Sequence, residues 1–300
     1  KNIVDGGVAL EYSHKYTSPF MPKIQEQKKY DMAISFLTPH YFVDRKVKAK
    51  KKIAWIHTDY SKVQIDAKSE LKMWSAYDCI VSISEAAAKS FTTIFPSLRE
   101  KVLVIENILP IQLIKKQMNE FDALSEMSGQ GIKLLSIGRY CNAKNFDNVP
   151  NICSHILQLG IDVTWYIIGF GGDETLIRAK IKEEHMEKNV ILLGKKENPY
   201  PYMKACDVCV QPSRYEGKSV AVREAQLLGK PVVITNYATA DSQLEDGVDG
   251  MIVPLENEKC ACAIAELLKD KSKTEQLSQA CAIRDYSNYK EIKKVYDLFE

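Results

Sequence analysis

No run in this sequence approaches the roughly 20 consecutive apolar residues of a membrane-spanning helix. No stretch of it reads as a secretory leader, and an opening Lys1 in place of Met is expected of a chain processed or cut upstream. Charge of neither sign is in surplus: 41 basic residues stand against 39 acidic ones, a net of +2. That balance excludes a strongly basic nucleic-acid binder on bulk charge and leaves only a local patch open. No Asp-x-Asp triplet occurs anywhere, so a metal held by such a pair is not expected. Nor is there a G-x-G-x-x-G: Gly169-Phe170-Gly171-Gly172 lacks the last spaced glycine and a ribose-binding acid at the right distance, which argues against a dinucleotide oxidoreductase. Repeats of solenoid period are absent. The eight cysteines form no paired framework and read as small buried apolar residues in a reducing compartment. Cys206 and Cys209 have C-x-x-C spacing, but with no second pair and no nearby histidine neither a redox nor a zinc role is expected.

What is present is an ordinary globular composition, 45% hydrophobic and 27% charged, over about two domains' length of chain. Residues 1–30 are polar and irregular, and no element is assigned there. Short apolar runs at Met32–Leu37, Lys52–His57, Cys79–Ile83 and Val102–Ile105 read as strands, with helices at Asp66–Ala76 and Ser84–Ile94. Ser84 is the expected N-cap, with Glu85 in the first turn. The basic cluster from Arg45 to Lys52 reads as a solvated loop, with contact to an anionic membrane as the alternative. A polar stretch ending in Ser128-Gly129-Gln130-Gly131 is the expected linker, 113–131, between a domain at 1–112 and another at 132–285. The second domain repeats the alternation, with strands at Lys133–Ile137, Val163–Ile168, Val190–Leu193, Val208–Gln211, Val232–Thr235 and Met251–Val253. Helices fall between them and after the last. The tail, 286–300, places Tyr289, Ile292, Val295, Tyr296 and Phe299 at helical spacing and is expected to pack through them. Alternating β and α throughout predicts an α/β fold of two Rossmann-like halves.

In the second half, glycines and charges gather just after the strands. Gly138 and Arg139 follow one, with Lys144 five residues on; Gly169 and Gly171 follow the next; Gly194 and Lys195 the third; Glu216 and Gly217 the fourth. Parallel strands send all four loops to one crevice. An Arg fork and a Lys point charge suit a diphosphate, and the helix starting near Ser219 offers backbone N–H groups to an anion. Glu224, further into that helix, can accept from two ribose hydroxyls at once. Taken singly, Arg139 or Lys144 would be a surface charge, and Glu216 with Glu224 a solvated pair beside a structural turn. Together they predict a nucleotide-diphosphate site.

Ser213–Val233, SRYEGKSVAVREAQLLGKPVV, resembles the signature of the retaining family 4 glycosyltransferases. The stretch holding Gly138, Arg139 and Lys144, the strand–GFGG element, and Ala54-Trp55-Ile56-His57-Thr58-Asp59 match further motifs of that family in order, so the resemblance runs from about Tyr30 to about Glu291. It implies the GT-B architecture, two Rossmann-like domains facing a cleft, with helix 286–300 completing the first. It also implies retaining transfer from a nucleotide-diphosphate sugar, a UDP-sugar before a GDP-sugar, to a saccharide or lipid-linked acceptor in cell-surface polysaccharide synthesis. No metal or other cofactor is implied, and the place is cytoplasmic or at the inner membrane face. Arg139 and Lys144 would hold the diphosphate and Glu224 the ribose. Glu216 and the backbone of Gly217, Lys218, Ser219 and Val220 would meet the sugar and phosphate, and His57 would lie near the reacting sugar. His57 and Glu216 are thus the expected catalytic residues, neither glutamate moving a proton. Two departures stand out: Lys218 occupies a place where many relatives carry an aromatic, and Gly6-Gly7 follows no apolar strand, so the family's opening strand and glycine loop are expected to be missing. Rival readings are a nucleotide-sugar binding module without transfer, and a 2-epimerase or phosphorylase of the same fold.

Overall fold

The structure is a computed structural model and describes residues 7–25, 27–36 and 40–299. The chain forms two compact units, one running to Ile108 and taking back the tail from Asn288, the other spanning Leu109–Ser287.

The first unit opens with α1 (Gly7–Thr17), where the residue pattern predicts no element, and continues β1 (Tyr30–Ser35), α2 (Tyr41–Lys46), β2 (Ala49–Ile56), α3 (Ala67–Ser75), β3 (Cys79–Ser82), α4 (Glu85–Ile94) and β4 (Val102–Val104). The strands make one parallel sheet in the order β1-β2-β3-β4. Asp66 caps α3 by accepting from the Ser69 N–H at 3.1 Å, and Ser84 caps α4 from the Ala87 N–H at 3.2 Å. Ile53, Ala54, Trp55 and Ile56 are all buried, the mark of a parallel strand covered on both faces. On one face Trp74, Tyr77, Phe91 and Phe95 pack together. The expected loop at Arg45–Lys52 is instead the end of α2 and the first half of β2. Its charges are partly engaged, Lys50 pairing with Asp31 at 2.6 Å and Lys52 Nζ donating to the Asp44 carbonyl at 2.5 Å. Leu37, expected to end the first strand, lies outside the described residues.

The second unit holds α5 (Ile111–Gln117), β5 (Ile132–Ile137), α6 (Val149–Gln158), β6 (Val163–Ile168), α7 (Glu174–Glu183), β7 (Val190–Gly194), α8 (Tyr200–Ala205), β8 (Val208–Gln211), α9 (Val220–Leu227), β9 (Val232–Thr235), β10 (Met251–Val253), α10 (Asn257–Lys269) and α11 (Lys271–Ile283). Segment 113–131, expected as a linker, carries most of α5 and buries Ala123 and Met127 in this unit's core. The parallel sheet runs β7-β6-β5-β8-β9-β10. Numbered within the unit that is 3-2-1-4-5-6, so the winding reverses between β5 and β8, and the crevice beyond their carboxyl ends is the ligand position of such sheets. Ser136 stitches this centre: it takes a bond from the Trp165 indole N–H at 2.8 Å and donates to the Val210 carbonyl at 2.5 Å. These buried groups are therefore satisfied rather than orphaned.

The last helix, α12 (Glu291–Asp297), packs on the first unit. Asn288 donates to Glu106 Oε2 at 2.9 Å, and Glu291 accepts from the Glu106 N–H at 3.2 Å. Leu298 joins Ile53, Trp55 and Val81 in the core, with Val295 beside it. Tyr289, Tyr296 and Phe299, expected to do the packing, are exposed. α12 is only seven residues long, and the chain leaves helical spacing where the expected stripe would have continued.

Among the described residues no helix is long and apolar enough to cross a membrane. All eight cysteines are free thiols, and most are buried, but Cys262 is exposed. Cys206 and Cys209 sit with sulfurs 3.5 Å apart inside the second unit.

Candidate active site

The loops after β5, β6 and β7 lie so close that only glycine fits at two points. A Cβ on Gly169 would stand 1.8 Å from the Gly138 carbonyl oxygen, and one on Gly171 2.3 Å from that of Tyr140. Backbone bonds lace the loops: Gly138 N–H to the Ile168 carbonyl at 3.0 Å, Tyr140 N–H to Phe170 at 2.8 Å, and Gly169 N–H to Gly194 at 3.0 Å. Gly138 serves a second end, since a Cβ there would meet the Lys144 side chain at 2.8 Å. Arg139 is exposed on this rim. Lys195 is exposed as well and lies over the half-exposed Phe170 ring, 5.6 Å from its centroid.

Across the switch point, the loop after β8 brings Glu216 to Lys144. Lys144 Nζ and Glu216 Oε1 are 2.5 Å apart, with side chains 17% and 12% exposed, and the same oxygen accepts from Ser213 Oγ at 2.7 Å. A second bridge, which the sequence did not announce, ties the same two loops. Arg214 forks onto Asp147 with bonds of 2.9 and 2.7 Å and donates to the Asn142 carbonyl at 2.7 Å. A planar guanidinium on a carboxylate fixes orientation as well as distance.

The loop after β9 braces the Glu216 loop from the other side. Thr239 Oγ1 donates to the Glu216 carbonyl at 2.8 Å, and Thr235 Oγ1 to that of Ser213 at 2.5 Å. Gln243, buried, accepts from the Ser219 N–H at 2.6 Å and donates back to the Ser219 carbonyl at 3.3 Å. The Ser219 N–H, expected to face a phosphate, is thus held by Gln243, and Val220 begins the exposed end of α9. The position of Gly217 and Lys218 is in the bend between Glu216 and this clasp.

Glu224 lies one turn into α9, partly buried, where its Oε1 accepts from the Tyr200 hydroxyl at 2.8 Å. Burial raises the pKa of this carboxyl, against the lowering effect of the Tyr200 bond. Tyr200, at the start of α8, is the further functional candidate that sequence reading missed, because a lone tyrosine after a proline carries no motif.

His57 directly follows β2 in the first unit. Its ring lies 4.6 Å from that of Phe36, and its Nε2 is buried without a hydrogen-bond partner among the described residues. Burial holds its pKa down, and a bond to the Phe36 backbone offsets part of that. His40, which the sequence did not single out, stands nearby at the start of α2. It is buried, with Nδ1 2.7 Å from Ser35 Oγ and its ring against Trp74. Burial, with a smaller push from the His57 imidazole, lowers its pKa to about 3. Among the described residues no group of three or more His, Cys, Asp or Glu is arranged to hold a metal ion.

A doubly wound parallel sheet with Lys, Arg and carboxylates gathered at its reversal point has them where sheets of this class take their ligands. The family profile described as Glycosyl transferases group 1 matches residues 119–283. The chain belongs to that family. It is 30% identical over 250 residues to a Klebsiella pneumoniae protein described as an uncharacterized 41.2 kDa protein in the cps region, the match covering 79% of this chain and 61% of that one. It is 28% identical over 182 residues to a Campylobacter jejuni N-acetylgalactosamine-N,N'-diacetylbacillosaminyl-diphospho-undecaprenol 4-alpha-N-acetylgalactosaminyltransferase, covering 60% of this chain and 48% of that one. The chain therefore spans less than two thirds of the length of either relative. Among solved structures, Anabaena Alr3699/HepE in complex with UDP superposes with a TM-score of 0.72 at 17% identity, covering 96% of this chain and 80% of that one. At that identity the likeness shows the fold, which is the expected GT-B class with its two parallel α/β units.

Proposed function

We propose that this chain is a retaining glycosyltransferase of family 4, moving a sugar from a nucleotide-diphosphate sugar to a saccharide or lipid-linked acceptor in surface-polysaccharide synthesis. The observation that carries the reading is the meeting of Lys144, Glu216 and the start of α9 at the β5/β8 reversal. As the glycosidic bond breaks, negative charge grows on the departing diphosphate, and preorganised cations and N–H groups stabilise it most where water is thin. Arg139, Lys144 and the N–H groups at the start of α9 fill that part. Glu224, oriented by Tyr200, takes the ribose hydroxyls, and Glu216 orients the sugar. Support for His57 in the catalytic role is its motif and its orphaned ring nitrogen. Transfer runs without a divalent metal, so EDTA leaves turnover unchanged. UDP is the preferred nucleotide, by likeness to the UDP-bound neighbour. The Campylobacter enzyme's undecaprenol-linked acceptor favours a lipid-linked acceptor here, and contact with the inner membrane face would go with it.

A thermal-shift panel of UDP, GDP, ADP and their sugars, followed by hydrolysis and transfer assays on the best donor, tests this. Stabilisation by one nucleotide and its sugar, with transfer in retained configuration, is the expected result. Binding with neither transfer nor hydrolysis would make the chain a binding module, conversion without an acceptor an epimerase, and no binding at all would remove the proposal.

A further inference from the structure

The turn after α1 carries its apolar side chains outward. In Ser18-Pro19-Phe20-Met21-Pro22, Phe20 is 89% exposed, and Tyr16, Met21 and Ile24 beside it are exposed too. This is not a loose end. Arg45 donates to the Lys15 carbonyl at 3.0 Å and to Ser18 Oγ at 2.9 Å. Lys46 Nζ donates to the Pro19 carbonyl and the Ile24 N–H to the Lys46 carbonyl, each at 3.0 Å. Ser18 is buried beneath the turn. Polar bonds from Arg45 and Lys46 thus hold a proline-bracketed turn with its largest apolar groups in water, which monomeric surfaces avoid unless something covers them.

The surroundings say what covers it. Residues 15–52 contain ten Lys or Arg against three Asp or Glu, in a chain whose net charge is only +2. Arg45 and Lys46 anchor the turn, and Lys23, Lys28, Lys29 and Lys48 of the same stretch are exposed. Apolar tips set among cations match an anionic lipid surface, whose headgroups meet the charges while its acyl boundary takes the rings. A protein partner acidic enough for the charges would leave Phe20 and Met21 without apolar cover.

We propose that the turn Ser18–Pro22, with Tyr16, Ile24 and the cations around it, docks the chain on an anionic bilayer by shallow insertion of Phe20 and Met21. Its purpose rests on the lipid-linked acceptor proposed above, but its chemistry does not. The test is sedimentation of the full chain with vesicles of phosphatidylcholine plus phosphatidylglycerol, and with phosphatidylcholine alone. Binding to the mixed vesicles only, weakened by salt, is expected. Phe20→Ser with Met21→Ser should lower it about tenfold or more, while a Phe20→Trp variant shifts its emission to the blue on the same vesicles. UDP binding stays at the parental value in all variants, so failure of the nucleotide proposal would be seen separately. Equal binding of parent and double-serine variant, no binding, or equal binding to neutral vesicles overturns the proposal. A parent that is dimeric in sedimentation equilibrium while the double-serine variant is monomeric does so too, by giving the turn to a second copy.

Discussion

Replacing Glu216 by Gln should tighten UDP binding even as it impairs transfer. In the free protein Lys144 is not waiting for a phosphate: its ammonium is 2.5 Å from Glu216, and both side chains are mostly buried. A diphosphate must draw Lys144 away and sit near the carboxylate it leaves. Two unit charges about 4 Å apart attract by about 4 kcal/mol at an effective dielectric of 20, and much of that is offset by the cost of removing both from water. What remains is of the order of one charge-assisted hydrogen bond, about 1.5–3 kcal/mol. Gln keeps the shape and the bond from Ser213 Oγ but loses the charge. If the diphosphate recovers even the lower figure, Kd for UDP falls about tenfold. Calorimetric titration of UDP into the parent, E216Q, K144M and the double variant reads this as a cycle. The gain should vanish once Lys144 is Met. Unchanged or weaker UDP binding in E216Q, or the same gain without Lys144, would refute the reasoning.

Tyr200→Phe removes the hydroxyl that orients Glu224, so UDP should bind about three- to tenfold more weakly, and its advantage over 2'-deoxy-UDP should shrink in a competition titration. His57→Ala should lower turnover while calorimetry finds donor affinity near the parental value. The folded protein keeps His40 neutral down to about pH 3, whereas the unfolded chain takes up a proton below about 6.5. Stability is therefore full above that pH and is lost as pH falls from 6.5 towards 3, by at most about 4–5 kcal/mol. His40→Phe, which keeps the packing against Trp74, should flatten melting temperature against pH in that window.

The strands were readable because each is a short apolar run, and buried parallel strands such as Val163–Ile168 leave little else for such a run to be. That the glycines and charges after the strands share one crevice follows from their positions, but the reversal at β5/β8 that sets its place is visible only in the strand order. Other features depend on partners far away in sequence. Gln243 reaches Ser219 from 24 residues off, Arg214 reaches Asp147 from 67, and Glu216 reaches Lys144 from 72. No local pattern encodes those bonds. Helical spacing did predict a helix in the tail, and Val295 packs as expected, but Tyr289, Tyr296 and Phe299 stay exposed and Leu298, just past the end of α12, enters the core instead. His40 was passed over for a related reason: a histidine between two apolar segments gives no sign that folding will set it beside His57.

A crystal structure of the full chain grown with UDP tests the central claim most directly. The diphosphate should lie within hydrogen-bond distance of Arg139, Lys144 and the N–H groups at the start of α9, with both ribose hydroxyls on Glu224. A nucleotide seated elsewhere, or one at this crevice with Lys144 still on Glu216 and the ribose away from Glu224, would contradict it.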